Sequence, residues 1–196
     1  MSKQSFLLNR RQTLCTVAAL CASTNPLMNA NATIAPATPV VAPAEVAAAI
    51  KLAQLHGSAP LRFFGLLVYE ARLWTASKFD AASYEQLPFA LELEYARKLE
   101  GAAIAERSIA EMRRVDNFSE AQATKWLGLM TQAFPDVKAQ DRLTGVHDGA
   151  GSVRFYFNGK ETAAIQDKSF ARLFFGIWLS PKTSSPALRS ALIKQA

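Results

Sequence analysis

Beyond Cys21 the 196-residue chain contains no cysteine, so the remainder can form neither a disulfide nor a thiolate site. Histidine is nearly as scarce: His56 and His147 are the only two, and neither stands at metal-ligand or nucleophile–base spacing from a partner. No metal, no cofactor and no catalytic residue is therefore expected. Long apolar runs are missing too, since the stretch from Thr13 to Ala22 falls well short of the roughly 18 to 20 residues that cross a bilayer. The basic residues are spread rather than gathered into a stripe, which argues against nucleic acid as a partner.

What the first 32 residues do contain is Lys3, Arg10 and Arg11 ahead of that apolar stretch, no acidic residue, and the small-residue triplet Ala30-Asn31-Ala32. Charged, apolar and small-residue regions in that order mark a removable signal peptide over residues 1–32. The run Asn9-Arg10-Arg11-Gln12-Thr13-Leu14 is similar to a twin-arginine export signal, with Thr13 where that signal prefers Phe. Leu14 and Leu20 precede the two cysteines, where a lipid anchor would need a small residue. A periplasmic or secreted protein with no transmembrane span in its mature part is expected. Removal of the signal takes three of the 22 basic residues and none of the 16 acidic ones, so the net charge falls from +6 to +3.

Residues 33–44 hold three prolines and no charge, which suits an extended linker. Residues 45–196 are the size of one domain with one core. Within it, Leu61, Phe63, Gly65, Leu67, Tyr69, Ala71 and Leu73 alternate on one face of a strand running from Leu61 to Trp74. Phe89, Leu91, Leu93 and Tyr95 repeat the pattern, with Glu92 and Glu94 on a solvated outer face. Gly101 to Val115 is a helix by its spacing of Ile104, Ser108, Met112 and Val115. Ser119 and Gln122 make a capping box for a second helix that stops before Pro135. Three strands follow, Asp141 to His147, Ser152 to Phe157 and Lys160 to Ile165, the last two joined by the hairpin signal Asn158-Gly159. A Phe-rich helix over Phe170 to Trp178 starts behind Gln166 or Asp167, and Pro186 opens a short last helix. Glu45 to His56 satisfies helix and strand rules equally. This order gives an α+β fold.

Four segments carry a resemblance to a known family. They are Leu61-Arg62-Phe63-Phe64-Gly65-Leu66-Leu67-Val68-Tyr69 with Ala71-Arg72-Leu73-Trp74, the strand Ala90 to Arg97, Asp141-Arg142-Leu143-Thr144-Gly145-Val146, and Phe170 to Leu179. In that order and spacing the chain resembles the bacterial chalcone isomerase-like proteins from about Leu52 onward. The resemblance implies an antiparallel sheet with a helical layer on one face, an open-faced β-sandwich, and makes Leu52 to His56 a strand. In the plant enzymes of that fold, ring closure depends on an arginine on the preceding strand, a threonine within the Leu61 to Val68 equivalent, and a tyrosine at the start of the next helix. Here no arginine lies between Arg11 and Arg62, and Phe64 and Ile104 match the threonine and tyrosine. Apolar groups there cannot stabilise developing negative charge, so isomerase activity is the least favoured function.

Two readings stand ahead of it. Because some relatives are fatty-acid binders, the resemblance favours an apolar small molecule such as a fatty acid as partner. The other reading is a cell-envelope domain with a dry core that works through a protein partner. For the first, the even face of the Leu61 to Trp74 strand offers Phe64, Leu66 and Val68, spanning about 13 to 14 Å, against the helix carrying Ile104. Arg62 or Arg72 at its two ends is the candidate carboxylate partner, with surface solvation as the other reading of each. His147, at a turn with Asp148, and His56, before Gly57, are expected in solvent.

Overall fold

A computed structural model describes residues 40–76 and 78–194. The expected signal peptide and most of the linker lie outside the described residues. Six strands pair antiparallel in chain order: β1 (Gln54–Phe63), β2 (Leu66–Thr75), β3 (Pro88–Tyr95), β4 (Arg142–Asp148), β5 (Ser152–Phe157) and β6 (Lys160–Gln166). Between β3 and β4 come α2 (Gly101–Val115) and α3 (Glu120–Ala133), and after β6 come α4 (Lys168–Leu179) and α5 (Pro186–Ile193). The fold is α+β, as expected.

Leu61 to Trp74 is not a single strand. Phe64 and Gly65, at φ 48° and 78°, make a two-residue turn across which Phe63 pairs with Leu66. One step on, Arg62 pairs with Leu67 but Leu61 pairs with Tyr69, so Val68 is an extra residue, a β-bulge. The bulge returns odd-numbered residues of both strands to one face. Period-two alternation therefore runs through the turn unbroken, which is why it reads as one strand.

Odd-numbered positions of β2 to β5, among them Tyr69, Leu73, Phe89, Leu93 and Phe155, meet the helices and form the main core. From α4, Phe170, Phe174, Phe175 and Trp178 interlock with Phe89, Phe134 and Phe155, mostly edge to face. The helix starts are fixed by side chains. Ser119 accepts from the Gln122 N–H while the Gln122 side chain accepts from the Ser119 N–H, and Asp167 accepts from the Phe170 N–H at 3.1 Å. On β1, Gly57 lets α5 cross at backbone distance, because a Cβ there would lie 2.4 Å from the Leu192 carbonyl oxygen.

Glu45 to His56 contains both elements that local rules allowed: α1 (Ala44–Ala49) and then the start of β1. Helix α1 lies on the sheet's second face, where Val46 and Ile50 pack on Trp74, Ala90 and Val146. Beneath it Glu92 is buried rather than solvated. It accepts from Trp74 Nε1 at 2.8 Å, Arg72 at 3.2 Å and Arg142 at 3.3 Å. The charge is tolerable there because it is paired and hydrogen-bonded. Both histidines are also buried, contrary to expectation. His147 lies within β4, between Phe89 and Phe175, with Nδ1 2.9 Å from the Leu87 carbonyl oxygen. His56 is the extra residue of a second bulge and places Nε2 3.2 Å from the Ile193 carbonyl oxygen.

Candidate functional site

Between the sheet and its helical layer lies a cavity of about 570 Å³, a volume suited to a small organic ligand. Strands β3 to β5 supply an apolar floor with Leu91, Leu93, Leu143 and Phe155. One wall is the face of α2 that carries Ile104, Ser108 and Glu111, and the other is Phe174, Ile177 and Trp178 of α4. The bulge puts Val68 and Tyr69, neighbours in sequence, both on the cavity lining. Its carbonyl is held by the Ala96 N–H at 2.9 Å.

Two tyrosines, Tyr69 and Tyr95, stand among the apolar lining residues. Trp178 Nε1 donates to the Tyr69 hydroxyl at 3.0 Å, and the Tyr95 ring stands edge to face with Tyr69 at 5.8 Å. Tyr95 is itself buried and lines the cavity. Burial pushes Tyr69 up to about 12, Trp178 opposing it, and burial raises Tyr95 in the same direction. Both remain neutral donors at physiological pH.

The exposed lining residues mark the mouth, and three of them are arginines: Arg62, Arg97 and Arg107. Glu111 is the single carboxylate in the lining; it is buried and ion-paired to Arg107 and Arg114. Arg62 spends one N–H on the Gly65 carbonyl, 3.2 Å away. The mouth thus carries a positive excess above an apolar interior. A molecule with an anionic head and a hydrocarbon body matches both ends. Among the described lining residues the tyrosines are neutral, Glu111 is doubly paired and neither histidine is present.

Of the residues expected at the site, Arg62, Val68 and Ile104 line this cavity. Phe64 and Leu66 do not; they project from the β1–β2 turn, 90% and 56% exposed. Arg72 lies on the second face, bound to Glu92 and Glu94. The cause is the hairpin, which removes Phe64 and Leu66 from the strand face they were placed on. It also moves Arg62 onto β1, the strand that precedes β2, so an arginine does stand on the preceding strand. Phe64, matched to a strand threonine, is a turn residue. Tyr69 and Tyr95 continue the apolar alternation, so nothing local in the sequence marks them as cavity residues. Arg97 and Arg107 carry no local signal at all.

Among the described residues, one antiparallel sheet with its helical layer over an apolar cavity on one face, and only the short α1 on the other, defines an open-faced α+β sandwich. The chain belongs to the chalcone isomerase-like family, whose model matches residues 39–194. Its structure is similar to the crystal structure of a fatty-acid binding protein from Arabidopsis thaliana, with a TM-score of 0.57 at 10% sequence identity. The likeness covers 73% of this chain and 87% of that one and concerns the fold. No curated protein matches the chain in sequence.

Proposed function

We propose that the protein is a non-catalytic binder of an acyl chain with an anionic head, a fatty acid or a molecule of that class. The observation that carries this reading is the apolar cavity of about 570 Å³ whose mouth holds three arginines against one paired carboxylate. The head would meet Arg62, Arg97 or Arg107 and the Tyr95 hydroxyl, and the chain would lie along Leu93, Ile104 and Phe174. The name of the Arabidopsis protein, a fatty-acid binder of similar fold, supports the same class of ligand. Ring closure is disfavoured because no side chain in the lining is poised to take or hold a phenolic proton. The working place is outside the cytoplasm, on the strength of the Arg10-Arg11 pair, the short apolar run and Ala30-Asn31-Ala32.

The test is a fluorescent fatty-acid titration of wild type beside Ile104→Trp, which fills empty space rather than a packed core. Weakened binding at unchanged stability is expected. A dry-core domain acting through a protein partner would bind no acyl chain in either form.

A further inference from the structure

The β1–β2 turn presents an apolar patch of which only Phe63 belongs to the cavity mouth. Phe63, Phe64 and Leu66 are 59%, 90% and 56% exposed, and no other strand connection among the described residues shows such a cluster. The rings of Phe63 and Phe64 meet edge to face at 4.5 Å in the open. Phe64 moreover occupies a left-handed position, φ 48°, where such turns favour Asn, Asp or Gly. A bulky aromatic side chain there serves neither the turn nor the core.

Charge surrounds the same spot. Arg62 precedes the two phenylalanines, and Arg62, Phe63, Arg97 and Arg107 share the cavity mouth. Lys98 adds a further exposed cation. Of the nearby carboxylates, Glu111 is buried and paired and Glu94 is held by Arg72 on the other face; exposed Glu100 and Glu106 offset two of the four cations.

We propose that this turn docks on an anionic lipid bilayer, with Phe63, Phe64 and Leu66 entering the interface and the arginines meeting lipid headgroups. Aromatic and aliphatic side chains flanked by cations bind such a surface through the two terms it offers, apolar insertion and charge attraction. Three side chains on a tight turn are too small a footing for a stable protein interface, which needs about 800 Å² on each partner. Docking also turns the cavity mouth toward the phase in which acyl chains dissolve. This delivery role rests on the acyl-binding reading, whereas the docking itself does not.

The experiment uses vesicles of phosphatidylglycerol and of phosphatidylcholine with wild type and the double variant Phe64→Asn/Leu66→Thr. Neither changed residue lines the cavity, and Asn suits the left-handed turn position, so the variant keeps the fold. Wild type should co-sediment with phosphatidylglycerol vesicles about tenfold more strongly than with phosphatidylcholine, and less so as salt is added. The variant should lose about tenfold in vesicle binding and bind a fluorescent fatty acid in solution as wild type does. The proposal is overturned if wild type ignores phosphatidylglycerol vesicles, if the variant binds them undiminished, or if sedimentation velocity shows wild type as a dimer and the variant as a monomer. Vesicle binding without fatty-acid binding would uphold the docking and overturn the acyl reading.

Discussion

Tyr69 joins three features of the molecule: it follows the bulge at Val68, accepts from Trp178, and lines the cavity. Burial raises its hydroxyl from 10 to about 12, so between those values the folded chain holds a proton that the unfolded chain releases. Stability from Tyr69 is therefore complete below pH 10 and is lost as pH rises toward 12. The loss is of order 2 kcal/mol. Tyr84, raised to about 12 chiefly by burial, acts in the same direction. Tyr69→Phe should lower stability at neutral pH by ~1–3 kcal/mol, because the Trp178 N–H loses its acceptor in a buried place. It should also shrink the alkaline drop, measured as the change in melting temperature from pH 10 to pH 12. An alkaline drop as large as wild type's would assign it elsewhere. The histidines show what single residues conceal. His147 was next to turn residues in sequence, yet the pairing of Phe89 with His147 puts its ring on the helical face. Register decides that, and register is a property of two strands.

At the scale of elements, segments with strong local signals were legible: the capping box at Ser119, the helix Gly101–Val115, the Asn158-Gly159 hairpin and the Phe-rich α4 all stand where the sequence placed them. The β1–β2 hairpin was not, for two physical reasons. Its turn has Phe at a position that usually announces itself by Asn or Asp, and the bulge at Val68 cancels the change of parity that a two-residue turn introduces. Two of the six expected site residues, Phe64 and Leu66, leave the cavity with it, whereas Arg62, Val68 and Ile104 line it and Arg72 lies on the sheet's second face. A prediction at this scale concerns α5, which reaches β1 through the space left by Gly57. Gly57→Ala would place a methyl group 2.4 Å from the Leu192 carbonyl oxygen, and the helix must shift. A loss of ~3 kcal/mol is expected, read as a lower urea midpoint. An unchanged midpoint would show that α5 can slide at no cost.

For the whole molecule, export, acyl binding and membrane docking are separate proposals, each open to its own test. Export predicts that protein recovered from outside the cytoplasm has an intact mass corresponding to a start near Thr33. Full-length chain confined to the cytoplasm would contradict it, whatever the cavity binds. The central claim is the ligand. Its most direct measurement is a titration of the purified domain with a fluorescent fatty acid, wild type and Ile104→Trp side by side, with melting temperatures recorded for both. The account predicts one site per chain at micromolar affinity, displaced by unlabelled fatty acid, and weakened about tenfold or more in Ile104→Trp without loss of stability. Absence of saturable binding to wild type, or equal binding by Ile104→Trp, would contradict it.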